Sequence, residues 1–172
     1  VHISNFRKVK RVKDVVKIFN EVQKNIPVKL LMIGDGPERK KAEQLTRKLN
    51  ISPKVKFMGK LKSVEEFLSI ADVFLLPSET ESFGLVALEA MASEVVVVST
   101  NSGGLKEVNI DNVTGFLSDV GDISKMSSDV LKILKEDSTL EEFKKRAFNH
   151  ATNFDLPYIL PKYEQLYQDL LK

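Results

Sequence analysis

Two glutamates, Glu81 and Glu89, stand eight positions apart in the segment Pro77-Ser78-Glu79-Thr80-Glu81-Ser82-Phe83-Gly84-Leu85-Val86-Ala87-Leu88-Glu89. The apolar run Val73-Phe74-Leu75-Leu76 ends at Pro77, a polar loop follows, and Gly84 opens a helical pattern. The spacing therefore predicts Glu81 in a loop at the carboxyl end of a strand and Glu89 in the first turns of the next helix. Amides at a helix start lack intrahelical partners and favour an anion. In an open parallel sheet, ligands bind at this edge. A phosphate at the helix start, flanked by two carboxylates that accept hydrogen bonds from hydroxyl groups, is the chemistry these residue types allow.

Other residues point to the same edge with less force. Arg7, Lys8, Lys10, Arg11 and Lys13 crowd the turn after the first predicted strand. Such a run fits a solvated helix start or a set of charge-assisted donors to a pyrophosphate. Gly34-Asp35-Gly36-Pro37 fits an ordinary strand-to-helix turn as well as a close approach to a ligand. It is neither a dinucleotide fingerprint nor a P-loop, since the third glycine and the Gly-Lys-Ser/Thr are missing. Ser102-Gly103-Gly104-Leu105 is again either a turn or a ligand cradle. His2 and His150 are isolated and read as structural or surface residues. No Asp-x-Asp pair and no metal-ligand spacing occurs in the sequence. A diphosphate leaving group would then rely on Arg, Lys and a helix end. A helix end contributes only about 0.3–2 kcal/mol, so the cations would matter.

The elements that must position these residues alternate. Val28–Ile33, Val55–Met58, Val73–Leu76 and Val95–Ser99 are short apolar or β-branched runs with the character of buried strands. Val12, Val15, Val16, Phe19 and Val22 repeat at helical spacing, as do Ala42, Leu45 and Leu49 after Pro37, a residue suited to a first helical turn. Ser63 with Glu66, and Thr139 with Glu142, have capping-box spacing. Ile123, Met126, Val130 and Ile133 predict a helix after Asp122. A last helix follows Asp155, with Tyr158, Leu166, Tyr167, Leu170 and Leu171 available to pack. Strand–helix–strand repetition implies right-handed crossovers and an α/β fold, an open parallel sheet with helices on both faces.

The 172 residues suit one domain, and 42% hydrophobic with 29% charged residues is ordinary for a globular chain. A net charge of +2 is too small to argue for nucleic acid, and aromatic residues are not interleaved with the basic run as a stacking platform. Cysteine is absent, which excludes disulfide and thiolate chemistry. No run approaches the length of a membrane span. The segment Val1-His2-Ile3-Ser4-Asn5 reads as the start of a strand, and the chain is expected to be an excised domain lacking its N-terminal neighbour.

The ordered set Gly34-Asp35-Gly36-Pro37, Val55-Lys56-Phe57-Met58-Gly59, Ala71 to Ser78, Glu81-x7-Glu89 with Phe83-Gly84, and Gly103-Gly104 followed by Glu107 resembles the signature of retaining family-4 glycosyltransferases. The likeness runs from the first residue to the last helix. It implies a Rossmann-like sheet, the C-terminal nucleotide-sugar half of a GT-B fold, with residues 1–172 forming the donor domain and the acceptor domain outside the chain. The segment His2 to Val12 narrows the likeness to members that transfer N-acetylglucosamine from UDP to L-malate in bacillithiol biosynthesis. On this likeness Glu81 sits beside the donor sugar and acts with Lys10 and Arg7, which stabilise the departing diphosphate. Glu89 binds the ribose hydroxyls, and the backbone at Phe83, Gly84 and Leu85 receives the phosphates. Gly34 and Gly36 lie near the nucleotide, Phe57 to Gly59 edge the uracil, and Asn5, Gly103 and Gly104 complete the donor site. The implied partners are a UDP-sugar and a small acceptor such as malate, in the cytoplasm, with no nucleic acid and no integral membrane segment. No metal site and no obligatory cofactor is implied, and a divalent ion would at most stimulate.

Two positions depart from the family pattern. Asn5 stands where many members carry Arg, five residues before Lys10, and Arg7 is the candidate for the missing cation. Glu94-Val95-Val96 stands where Gly-x-Pro often follows the Glu89 helix. Another retaining transferase, making a glycolipid or cell-wall polysaccharide, shares these motifs. A non-catalytic module binding a nucleotide or anionic polymer through the basic turn is the alternative from a different class.

Overall fold

The computed structural model describes residues 1–171. Among the described residues are six strands and eight α-helices, alternating as far as α6: β1 (His2–Ile3), α1 (Val12–Val22), β2 (Leu30–Ile33), α2 (Arg39–Lys48), β3 (Val55–Gly59), α3 (Glu65–Leu68), β4 (Val73–Leu76), α4 (Leu85–Ala92), β5 (Val96–Thr100), α5 (Leu105–Val108), β6 (Gly115–Ser118), α6 (Ile123–Leu134), α7 (Asp137–Ala151) and α8 (Leu156–Leu170). Every ladder is parallel, in two sheets ordered β1-β2-β3 and β4-β5-β6. The sheets meet along β1 and β4, where the Leu75 N–H donates to the Val1 carbonyl at 2.9 Å. Strand order thus reverses between β1 and β4, the place where ligands dock on such sheets.

Period-two alternation explains the two layers. Val73, Leu75, Val96 and Val98 face a core shared with α1 and α6, whereas Phe74, Leu76, Val95 and Val97 face one shared with α4 and α7. Both faces being covered, β4 and β5 are buried along their whole length, as parallel strands require. The predicted apolar stripe of α1 is buried at Val12, Val15, Val16, Phe19 and Val22. Asp122 caps α6 by accepting from the Lys125 N–H at 2.9 Å.

Several expectations shift. Strand β2 starts at Leu30 and β5 runs one residue past Ser99, while Pro37 lies in the turn ahead of α2. Ser63 does not cap through Glu66: its hydroxyl donates to Glu65, whose carboxylate also accepts the Val64 N–H, and α3 is a single turn. Thr139 lies inside α7, which starts at Asp137, and Glu142 pairs instead with Arg146 one turn on. The four-residue strand β6, with no long apolar run to mark it, was not expected. Helix α8 buries none of its residues, so Tyr158, Leu166, Tyr167, Leu170 and Leu171 stay exposed rather than packing on this domain.

Candidate active site

All strands being parallel, the loops after β1, β2, β4 and β5 emerge on one edge. The β1 loop is folded tightly. Phe6 (φ 41°) and Arg11 (φ 48°) both adopt the left-handed conformation, which costs about 1–3 kcal/mol for a non-glycine residue. At Phe6 this is offset by burial of the whole ring, against His2 and edge-on to Phe57, a gain of about 1.5–3 kcal/mol. Between the two lies a 3-10 turn, Lys8–Lys10. The Glu38 N–H donates to Phe6 and the Glu79 N–H to Val9, at 3.0 and 2.8 Å.

This turn aims Lys10 at the β4–α4 loop. Lys10 Nζ lies 2.5 Å from Glu81 Oε1, and the Ser78 hydroxyl donates to the same oxygen at 2.7 Å. The Glu81 side chain is only 11% exposed, so the pair is shielded from solvent screening. The predicted lysine and loop glutamate are thus brought together. Arg7 is exposed and has no ion pair among the described residues, and Asn5 is exposed beside it. Arg11, from the same basic run, is committed to Asp14 and Glu79.

Gly84 (φ 98°) opens α4, and no side chain among the described residues caps it. The first-turn amides of Leu85 and Val86 are therefore unpaired by helix geometry. Leu85 and Glu89, four apart, share the exposed face, while Ala87, Ala90 and Met91 are buried. Helical side chains lean toward the N-terminus, so Glu89 leans toward those amides. Its carboxylate has no hydrogen bond or ion pair among the described residues. Phe83 is 40% exposed and meets Phe154 edge-on at 6.1 Å.

The glycines have steric reasons. A Cβ on Gly103 would lie 1.9 Å from the Glu81 carbonyl, and one on Gly104 would lie 2.7 Å from the Ser82 carbonyl. The Gly104 N–H donates to the Glu81 carbonyl at 3.1 Å. The pair thus supports the Glu81 loop from beneath, with the Gly104 amide already used. Gly34 and Gly36 play a similar part for the β1 loop: a Cβ on them would lie 1.8 and 2.1 Å from the Ser4 and Asn5 carbonyls, respectively. The Gly34 N–H donates to Gly59 at 2.8 Å, and the Arg39 guanidinium lies 6.0 Å over the Phe57 ring.

Sequence reasoning missed the supports. Ser78, Thr100 and Ser102 form a hydroxyl cluster under Glu81. His2 is fully buried, its ring nitrogens 2.8 Å from the Leu75 carbonyl and from Ser4 Oγ. Burial pushes its pKa down to about 4, partly opposed by the Leu75 carbonyl. A cavity of about 730 Å³ opens at the opposite, amino edge, lined by residues such as Val1, Val28, Leu30 and Leu134. It is largely apolar and contains none of the candidate residues, which instead line the open carboxyl edge.

Fold, edge and paired acid-base loop belong to a known class: residues 1–150 match the glycosyl transferases group 1 family, and the chain belongs to it. Over its whole length it is 42% identical to the N-acetyl-alpha-D-glucosaminyl L-malate synthase of Bacillus anthracis, of which it covers 45%. Over 81% of the chain it is 32% identical to the 2-deoxystreptamine N-acetyl-D-glucosaminyltransferase of Niallia circulans, covering 37% of that protein. It spans less than half the length of these curated relatives. S. aureus TarM, solved with Fondaparinux, alpha-GlcNAc-glycerol and UDP, superposes with a TM-score of 0.89 at 25% identity, over 96% of this chain and 34% of that one. Anabaena Alr3699/HepE, solved with UDP, gives 0.89 at 22% identity over 98% and 48%, and shares the fold.

Proposed function

We propose that residues 1–172 are the donor-binding domain of a retaining GT-B glycosyltransferase that moves N-acetylglucosamine from UDP to L-malate. The observation that carries this reading is the Lys10–Glu81 contact beside the uncapped start of α4, in a chain 42% identical to a GlcNAc-malate synthase. The amides of Leu85 and Val86, with those at Phe83 and Gly84, receive the phosphates. Lys10 and the exposed Arg7 neutralise charge as the bond from the sugar's anomeric carbon to the diphosphate breaks. Such donors act best when fixed before the charge develops. Glu81 accepts a hydrogen bond from a sugar hydroxyl, Glu89 from the ribose, and the Phe57–Gly59 backbone borders the uracil, with Asn5, Gly34 and Gly36 close by. A second domain, outside this chain, supplies the malate pocket and covers the open edge. On this reading no metal is obligatory, and a divalent ion would at most stimulate the reaction. Among the described residues no helix is long and apolar enough to cross a membrane. The cytoplasm as the place of the reaction is proposed from the family resemblance. The test is a product assay with the full-length protein, UDP-N-acetylglucosamine and L-malate. A glycosylated malate with retained configuration is expected, and transfer from GDP-mannose in preference would overturn the reading.

A further inference from the structure

The loop bearing Glu81 rests on a chain of hydroxyls whose purpose the donor site does not by itself explain. Ser78 has no exposed surface. Its Oγ donates to Glu81 Oε1 at 2.7 Å, the oxygen that also receives Lys10 at 2.5 Å. Glu81 Oε2 has no partner among the described residues. On its other side, the Ser78 carbonyl accepts from Thr100 Oγ1 at 2.6 Å and from Ser102 Oγ at 3.2 Å. Thr100 is likewise fully buried, at the end of β5.

A glutamate held by lysine alone retains rotamer freedom, because the ammonium is a compact charge on a flexible stem. A serine hydroxyl on a buried backbone, clamped through its own carbonyl, is a fixed donor. The two together define one carboxylate orientation. Buried networks of this kind rigidify a site when every member is satisfied.

We infer that Ser78 is a positioning residue: with Lys10 it saturates Oε1 of Glu81 and so reserves Oε2 for a hydroxyl of the hexosyl group. The inference rests on the donor-transfer reading. Ser78 touches no substrate and acts only through Glu81.

The test uses the full-length enzyme as wild type, Ser78→Ala, Glu81→Ala and the double variant. Affinities for UDP and for UDP-N-acetylglucosamine are measured alongside kcat. Ser78→Ala is expected to keep UDP affinity within about twofold. It should lose about tenfold in sugar-dependent affinity or kcat, the size of one hydrogen bond to a charged group. In the Glu81→Ala background the same change should add less than about twofold, since residues acting as a unit are not additive. A similar loss in both backgrounds, or an equal loss for UDP and UDP-sugar, would overturn the inference. Wild-type protein that binds neither ligand would instead defeat the donor reading and the inference with it. Should Ser78→Ala fail to fold, Ser102→Ala, which loosens Ser78 from its carbonyl side, carries the same expectation with a smaller loss.

Discussion

Lys10 Nζ stands 2.5 Å from Glu81 Oε1, joining the β1 loop to the β4–α4 loop across 71 positions of sequence. The contact bridges two loops at the edge where strand order reverses, and both side chains are largely shielded, at 19% and 11% exposure. It therefore fixes the geometry of two loops at once.

Lys10→Ala leaves a shielded carboxylate with Ser78 as its remaining partner. A loss of about 1–3 kcal/mol is expected, read as a drop of several degrees in thermal midpoint. Because the diphosphate also loses a cation, UDP affinity should fall more than tenfold. Differential scanning calorimetry and a UDP titration on the same variant check both parts.

Glu89 lies on the exposed face of α4 without a partner among the described residues. Glu89→Ala should leave stability within about 0.5 kcal/mol of the parent yet weaken UDP binding about tenfold. A matched loss of stability would place Glu89 in the fold rather than in the site.

Gly103→Ala should do the reverse of a clean functional change. The new Cβ would meet the Glu81 carbonyl at 1.9 Å, at a φ of 55° that favours glycine. The Glu81 loop must then shift. Destabilisation beyond about 1 kcal/mol together with lost UDP-sugar binding is expected, measured by urea unfolding and calorimetry.

His2 supplies a pH dependence with a defined sign. Its folded pKa, about 4, lies below the ordinary 6.5 because the ring is buried. Between those values the unfolded chain binds more protons than the folded one, so stability falls as pH drops from about 6.5 to about 4. The full effect approaches about 3 kcal/mol. Comparing urea midpoints of wild type and His2→Asn across this window isolates the ring: the wild-type curve should slope more steeply.

Much of the layout was legible because it is written in local periodicity. The stripe from Val12 to Val22 and the runs at Val73 and Val96 appear where burial on one or two faces demands them. Glu81 and Glu89 fall in loop and helix as their spacing implies. What escaped has non-local causes. Ser78 is generic at a strand end, and only Thr100 and Ser102, 22 and 24 positions away, give it a fixed direction. Strand β6 is defined by its pairing with β5, and Gly115 by the Val97 carbonyl that a Cβ would strike at 2.0 Å. The capping boxes failed because Ser63 donates to Glu65 instead of pairing with Glu66 and because α7 starts at Asp137, leaving Thr139 inside the helix. Arg7 and Asn5, expected at the donor, are exposed on the β1 loop, and their side chains have no partner among the described residues.

The central claim is that one nucleotide-sugar occupies the edge between Lys10, Glu81 and the start of α4. Calorimetric titration of this chain with UDP, UDP-N-acetylglucosamine and GDP-mannose tests it most directly, with Glu81→Ala run in parallel. The account predicts saturable binding of UDP, tighter binding of UDP-N-acetylglucosamine, and loss of only that sugar increment in Glu81→Ala. Preference for GDP-mannose, or an undiminished sugar increment in the variant, would contradict it.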